Sequence, residues 1–135
     1  MFDYKTQIFL HHTDAAGRLF FAHQFILVHD AKEKFLESLG LPVNQLIEDL
    51  KVSFPLIHAE ADYKAVLKAG DRITIRTGIE KIGETSVVFA FSIHKADGSL
   101  AGTAKTVSVC VDKKTNAKTP IPQEWRLKLE QTISR

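Results

Sequence analysis

Residues 4–11 (Tyr-Lys-Thr-Gln-Ile-Phe-Leu-His) alternate weakly between polar and apolar and predict a first strand. The small, polar run Thr13-Asp14-Ala15-Ala16-Gly17 ends it. The period then changes. Phe21, Phe25, Val28, Ala31, Phe35 and Leu39 recur at spacings of three and four, which is one stripe on a helix over 21–39. Leu27 and Leu36 widen that stripe, so the helix is expected to be embedded rather than resting on a surface. Gly40 and Pro42 stop it, and a shorter amphipathic piece spans Val43 to Leu50. Beyond residue 53 the segments 54–67, 72–82, 85–95 and 99–112 are rich in Val, Ile, Phe and Thr and read as strands. In 85–95, Val87, Phe89, Phe91 and Ile93 share one face. In 99–112 the shared face is expected to be Thr103, Lys105, Val107, Val109 and Val111, buried mainly in its second half. Turn signals separate the strands at Ala69-Gly70-Asp71, Ile82-Gly83-Glu84 and Asp97-Gly98, and Pro122 to Ile133 form a last amphipathic helix.

One strand, one long apolar helix and four strands joined by short loops make an α+β order. Short connections imply antiparallel pairing, so the expected architecture is a five-stranded antiparallel sheet wrapped around a long central helix. Such a sheet has edge strands, for which dimerisation is the expected remedy. The 135 residues, 44% apolar, fill one core but not two, so residues 1–135 are read as a single domain. A net charge of +2 gives no reason to expect a nucleic-acid partner. Cys110 stands alone, which excludes an internal disulfide and a cysteine zinc site. No apolar run long enough to span a bilayer and no signal peptide is visible, so a cytoplasmic setting is expected.

The stretch Thr13 to His23 joins the first strand to the long helix and is the most informative in the chain. Asp14 lies where a helix N-terminus offers free N–H groups and a positive dipole end. A carboxylate and backbone donors are what acyl transfer needs: a nucleophile or general base, and partners for the developing oxyanion. Gly17 provides either a positive φ or room for close backbone approach. The competing reading is that Asp14 is simply a cap or turn residue, which pattern alone favours, although it lies early for an N-cap.

The run Thr13-Asp14-Ala15-Ala16-Gly17-Arg18-Leu19-Phe20-Phe21 resembles the signature of the 4-hydroxybenzoyl-CoA thioesterase family of hot-dog enzymes. The resemblance continues through Phe25, Pro42, the stretch from Phe54 to Tyr63, Gly70-Asp71-Arg72 and Lys118 to Trp125, and so covers nearly the whole chain. The Pro55-Leu-Ile-His58-Ala strand and the Thr119-Pro-Ile-Pro-Gln-Glu-Trp125 tail look most like the subgroup that hydrolyses 1,4-dihydroxy-2-naphthoyl-CoA, toward menaquinone or phylloquinone. The resemblance implies hydrolysis of an acyl-CoA to acid and CoA without metal or redox cofactor, in a homodimer that assembles into a homotetramer. Asp14 falls on the catalytic carboxylate, which attacks the carbonyl or activates water. Phe21 falls where a main-chain N–H holds the carbonyl oxygen, and Gly17 matches the loop glycine. Some relatives carry His at the position of Phe21 and Tyr at that of Leu10, so no assisting imidazole or phenol is expected at those two positions. The family's basic cluster for the CoA phosphates falls at Gly83-Glu84-Thr85. Lys81 and Thr85 are the CoA-binding candidates there, with lysines of a neighbouring subunit as the alternative.

Other residues carry weaker signals. His11 and His12, read as strand neighbours, point to opposite faces and make a poor metal pair, so no metal is expected. His12 is expected either beside Asp14, tuning it, or as a solvated strand-end residue. His23 lies near the helix start and is a substrate-binding candidate; Phe20 and Phe21 read either as pocket walls or as core. His58 reads as a hydrogen-bonded core residue or, by the subgroup resemblance, as a partner for a phenolic hydroxyl. His29 reads as structural or solvated, and Lys113, Lys114 and Lys118 as a solvated face. The rival functions are a thioesterase for short-chain or 4-hydroxybenzoyl esters, a hot-dog hydratase and a non-catalytic module that binds CoA esters.

Overall fold

In a computed structural model the described residues are 1–48 and 51–133. The strands are β1 (Phe2–Gln7), β2 (Val52–Ser53), β3 (Leu56–Tyr63), β4 (Arg72–Ile82), β5 (Ser86–Lys95), β6 (Leu100–Val109) and β7 (Val111–Asp112); the helices are α1 (His23–Ser38), α2 (Val43–Glu48) and α3 (Gln123–Ile133). Five strands form one antiparallel sheet in the order β1-β4-β5-β6-β3, and β2 pairs with β7 in a small second one. The α+β hot-dog architecture expected from the chain is therefore present, with β1 and β3 as edges.

Helix α1 buries Gln24, Leu27, Val28, Ala31, Phe35 and Leu36. Those side chains join Ile73 and Ile75 of β4 and Val87, Phe89, Phe91 and Ile93 of β5 in one hydrophobic cluster. Each fully buried Leu or Phe contributes about 1.5–3 kcal/mol, so the stripe is sufficient reason for α1 to lie against the sheet. From α3, Trp125 and Leu129 reach the same cluster, and Phe54 stacks on Trp125 at 5.2 Å. Lys113 donates to the carbonyls of Leu46 and Ile47 at 3.0 and 3.2 Å, satisfying orphan acceptors of α2. Residues 49–50, the end expected for that helix, lie outside the described residues.

Three expectations need correction. The first strand ends at Gln7, and Leu10–His12 form a 3₁₀ turn instead of continuing it. Helix α1 begins at His23, two residues later than the apolar stripe suggested, because Phe20 and Phe21 close a turn that leads into it. In β6 the inward face is Gly102, Ala104, Thr106 and Ser108, while Thr103, Lys105 and Val107 face away; the burial expected for the second half holds at Val109 and Val111. The valines drew attention, but α1 lies so close to β6 that only small side chains fit beneath it: a Cβ on Gly102 would come within 2.8 Å of the Gln24 amide.

Candidate active site

The loop between β1 and α1 is organised by Asp14. Its Oδ1 accepts the Ala16 N–H at 2.8 Å and the Arg18 N–H at 3.2 Å, its carbonyl accepts the Gly17 N–H at 3.0 Å, and its own N–H donates to the Arg18 carbonyl at 2.8 Å. Asp14 is thus a turn residue and not a cap, since α1 starts nine positions later. Oδ2 makes no hydrogen bond among the described residues, so one oxygen is anchored and the other is free and exposed. Gly17 sits at φ +77°, and a Cβ built there meets nothing within 4 Å. The glycine is needed for its conformation, not for close approach.

The loop is held on both sides. The Leu19 N–H donates to the Leu67 carbonyl at 2.8 Å and the Ala69 N–H to the Gly17 carbonyl at 3.1 Å. Next, the Phe20 N–H donates to the His12 carbonyl at 3.0 Å. His23 Nδ1 lies 2.9 Å from the same carbonyl, which can only accept, so Nδ1 carries a proton. The Tyr63 hydroxyl donates to the Phe21 carbonyl at 2.8 Å, tying the loop to the end of β3. With these bonds made, the Phe21 and Ala22 N–H groups at the mouth of α1 have no acceptor among the described residues. Both donors are therefore without a partner in the chain as described.

Phe20 and Phe21 are not core. They are 40% and 63% exposed, with ring centroids 4.8 Å apart, and Phe20 meets His23 edge-on at 5.4 Å. An exposed aromatic patch therefore adjoins the Asp14 loop. His12 does not hydrogen-bond to Asp14, nor is it a solvated strand-end residue. It is buried in the 3₁₀ turn, where Nδ1 accepts the Phe9 N–H at 3.0 Å. Burial lowers its pKa, reinforced by neighbouring His11 and His23 and opposed by Asp30. The 4.1 Å between the His11 and His12 rings also replaces the opposite-face geometry expected of strand neighbours. No group of three or more potential metal ligands occurs among the described residues.

The remaining candidates stand elsewhere in the single chain. His58 lies on exposed β3 and bonds Glu60 at 3.1 Å, so it is not a core residue. Its register partner Val107, like Val88 opposite Lys81, alternates with the inward residues, which puts His58 and Lys81 on the sheet face away from α1. Thr85 sits in the β4–β5 turn, where its carbonyl accepts the Cys110 N–H at 2.7 Å. That turn is at the opposite end of the sheet from Tyr63 and Phe21, so within one chain neither CoA candidate approaches Asp14. Sequence reasoning missed Tyr63 and Gln24. Gln24 is 1% exposed, and its amide donates to the Asp62 and Thr103 carbonyls at 3.1 and 3.0 Å, pinning the first turn of α1 to β3 and β6.

A family model described as the thioesterase-like superfamily matches residues 9–129. The chain belongs to that superfamily. This thioesterase-like chain is 34% identical to a 1,4-dihydroxy-2-naphthoyl-CoA hydrolase of Rippkaea orientalis, covering 98% of this chain and 97% of that protein. Among solved structures it is similar to a 1,4-dihydroxy-2-naphthoyl-CoA thioesterase from Synechocystis, with a TM-score of 0.89, 29% identity and coverage of 95% and 94%. It is also similar to a gentisyl-coenzyme A thioesterase, with a TM-score of 0.83, 30% identity and coverage of 92% and 98%. The head of α1 thus places a carboxylate with one anchored oxygen near backbone N–H groups that have no acceptor among the described residues.

Proposed function

We propose that this protein hydrolyses an aromatic acyl-CoA to the free acid and CoA, with 1,4-dihydroxy-2-naphthoyl-CoA as the substrate. The observation that carries this reading is the 34% identity to a hydrolase of that substrate along 98% of the chain. The similarity to a gentisyl-CoA thioesterase favours a second reading, a dihydroxybenzoyl ester. Both acyl groups are aromatic and hydroxylated.

In the reaction, Oδ2 of Asp14 either attacks the thioester carbonyl carbon, expelling CoA thiolate and leaving an anhydride that water opens, or removes a proton from the water that attacks. In both cases negative charge develops on the carbonyl oxygen, and the Phe21 N–H, at the positive end of α1, stabilises it. The reaction written this way draws on no metal or redox cofactor. Lys81 and Thr85 remain the candidates for CoA, offered by a neighbouring copy rather than by the chain that supplies Asp14.

Asp14 is exposed in the single chain, and a site that excludes water needs a second wall. Edge strand β3 suggests its source. Leu56, Ile57 and Tyr63 are 46%, 62% and 50% exposed along it. Antiparallel pairing of β3 with β3 of a second copy would satisfy its free backbone groups and bury those side chains. The loop held by Tyr63 in one copy then lies over the Leu56 end of the other. Association of two such dimers into a homotetramer, and a cytoplasmic setting in which the lone buried thiol of Cys110 stays reduced, complete the proposal. No helix of the described residues is long and apolar enough to cross a membrane.

The test is a CoA-release assay over dihydroxynaphthoyl, gentisyl, benzoyl and straight-chain thioesters. Turnover of the dihydroxynaphthoyl ester well above the others is expected. Cleavage of straight-chain esters alone would overturn the substrate, and binding without CoA release would overturn catalysis.

A further inference from the structure

An apolar cavity of about 440 Å³ lies between α1, α2, α3 and the inward residues of β5 and β6, away from the Asp14 loop of the same chain. Leu36, Leu46, Phe54, Phe89, Trp125 and Leu129 are among the side chains that line it. Its volume falls within the roughly 300–1,000 Å³ of small-molecule sites. Into this apolar space α1 sends one amine. Lys32 Nζ lies 3.3 Å from Ser108 Oγ and 5.0 Å from the centroid of the Phe89 ring, and forms no ion pair with a carboxylate among the described residues. Burial lowers its pKa to about 8. The ionisable neighbours around the cavity are His29 and Glu33 on α1, both exposed, and Lys113, whose amine is engaged with α2.

A second, smaller cavity of about 70 Å³ shares His29 and Lys32 with the first and is otherwise lined by Phe25, Val28, Leu56, Ala59, Phe91 and Thr106. Lys32 therefore stands at the junction of the two, and the smaller one reaches edge strand β3. Each is lined by a residue whose buried polar atom has no partner among the described residues, Thr106 through its hydroxyl in the smaller and Trp125 through its indole N–H in the larger. A half-buried ammonium facing an aromatic ring and one hydroxyl has room for a further acceptor. The group that would complete its shell is an oxygen acceptor carried on an apolar body.

From His23 to Lys32 is nine residues, or about 14 Å along the helix, so Asp14 lies beyond the head of α1 and Lys32 past its middle. The antiparallel β3 pairing of the preceding section reverses that relation. It lays the Phe21 loop of a second copy over Leu56 and Ala59, at the mouth of the smaller cavity. We propose that Lys32 is the specificity-determining residue of the thioesterase: the cavity under α1 receives the aromatic part of the acyl group, and the Lys32 ammonium hydrogen-bonds a ring hydroxyl or its phenolate. This inference rests on the thioesterase reading and deepens it, since the substrates named for the matched relatives share a hydroxylated ring. An ammonium favours the ionised form of a phenol, and a charge-assisted bond in an apolar cavity discriminates strongly against an analogue that lacks the oxygen.

The experiment compares the wild-type protein with Lys32→Met, which keeps length and removes charge. The substrate pair is 1-hydroxy-2-naphthoyl-CoA and 2-naphthoyl-CoA, and the corresponding free acids serve as ligands in titration calorimetry. Wild type is expected to prefer the hydroxylated ester in kcat/KM by on the order of tenfold or more. In Lys32→Met that preference should collapse to within about threefold, because the loss falls on the hydroxylated ester. Binding of 1-hydroxy-2-naphthoate relative to 2-naphthoate should lose the same factor. A preference that survives in Lys32→Met, or its absence in wild type, overturns the role of Lys32 while leaving the hydrolase reading intact. Failure of wild type to release CoA from any aromatic ester overturns the hydrolase reading and, with it, this role. A retained Lys32-dependent difference between the two acids would then leave only a binding cavity.

Discussion

Asp14 has two oxygens with different tasks. Oδ1 closes the turn through the Ala16 and Arg18 N–H groups, and Oδ2 is the oxygen to which the proposed mechanism assigns the chemistry. Asparagine in its place can keep the first task, because its side-chain oxygen accepts the same two donors, but it can neither attack a thioester nor hold a water proton. Asp14→Asn is therefore expected to lower CoA release by on the order of a hundredfold or more with little change in melting temperature. Near-normal turnover in that variant would remove Asp14 from the mechanism, and a large loss of stability would show the two tasks to be inseparable. Lys32 carries a cost that the same kind of comparison can read. Its amine titrates near 8 when folded and near its ordinary 10.5 when unfolded, so between those values the unfolded chain binds more protons and stability rises with pH. The burden is full below about pH 8 and fades as pH climbs toward 10.5. Lys32→Met should melt higher than wild type at pH 7, and the gap should shrink steadily up to pH 10. A gap that does not move with pH would mean that packing, not desolvation, sets it.

At the scale of elements, strands with period-two patterns were legible from the residues alone. Val87, Phe89, Phe91 and Ile93 of β5 are all buried, as their alternation implied. β6 misled over Thr103 to Val107, where the inward positions are small or hydroxyl-bearing because the helix lies near, while Val109 is buried as its pattern implied. The head of α1 hid its anchors for the same reason. Gln24 and Tyr63 are polar residues whose partners lie 38 to 79 positions away. Their removal should separate stability from activity. Gln24→Leu leaves the Asp62 and Thr103 carbonyls without the amide and places apolar branches against Gly102, and is expected to cost about 1–3 kcal/mol in denaturant unfolding. Tyr63→Phe deletes one exposed bond, so its stability cost should stay near 1 kcal/mol or below. Yet it frees the Phe21 carbonyl, and with it the adjoining N–H donor, so kcat should fall about tenfold. Equal effects of the two variants on stability would contradict this division.

For the whole molecule the decisive feature is that the Asp14 loop and the apolar cavities lie apart within one chain. Asp14 and the Phe21 donor stand exposed at the Tyr63 end of β3, while the cavities that could hold an aromatic acyl group flank the Leu56 end. The loop was legible in the sequence because its turn chemistry is local. The cavity was not, since α1, α2, α3 and three strands build it from residues spread between positions 29 and 129. In the dimer proposed above, a dyad through the middle of β3 would bring loop and cavity together, and activity would then depend on assembly. Ile57 tests this because it is 62% exposed on that edge and lies beyond both cavities. Ile57→Asp places a carboxylate from each copy along the paired edges, where like charges and their desolvation oppose contact. The variant is expected to sediment as a monomer at concentrations where wild type does not, to keep its helical and sheet circular-dichroism signal, and to lose CoA release by more than tenfold. Loss of activity should track the fraction of monomer as protein is diluted, in wild type as in the variant. A folded monomer with undiminished turnover would show that one copy suffices, and the acyl group would then have to lie on the exposed Phe20–Phe21 patch of its own chain.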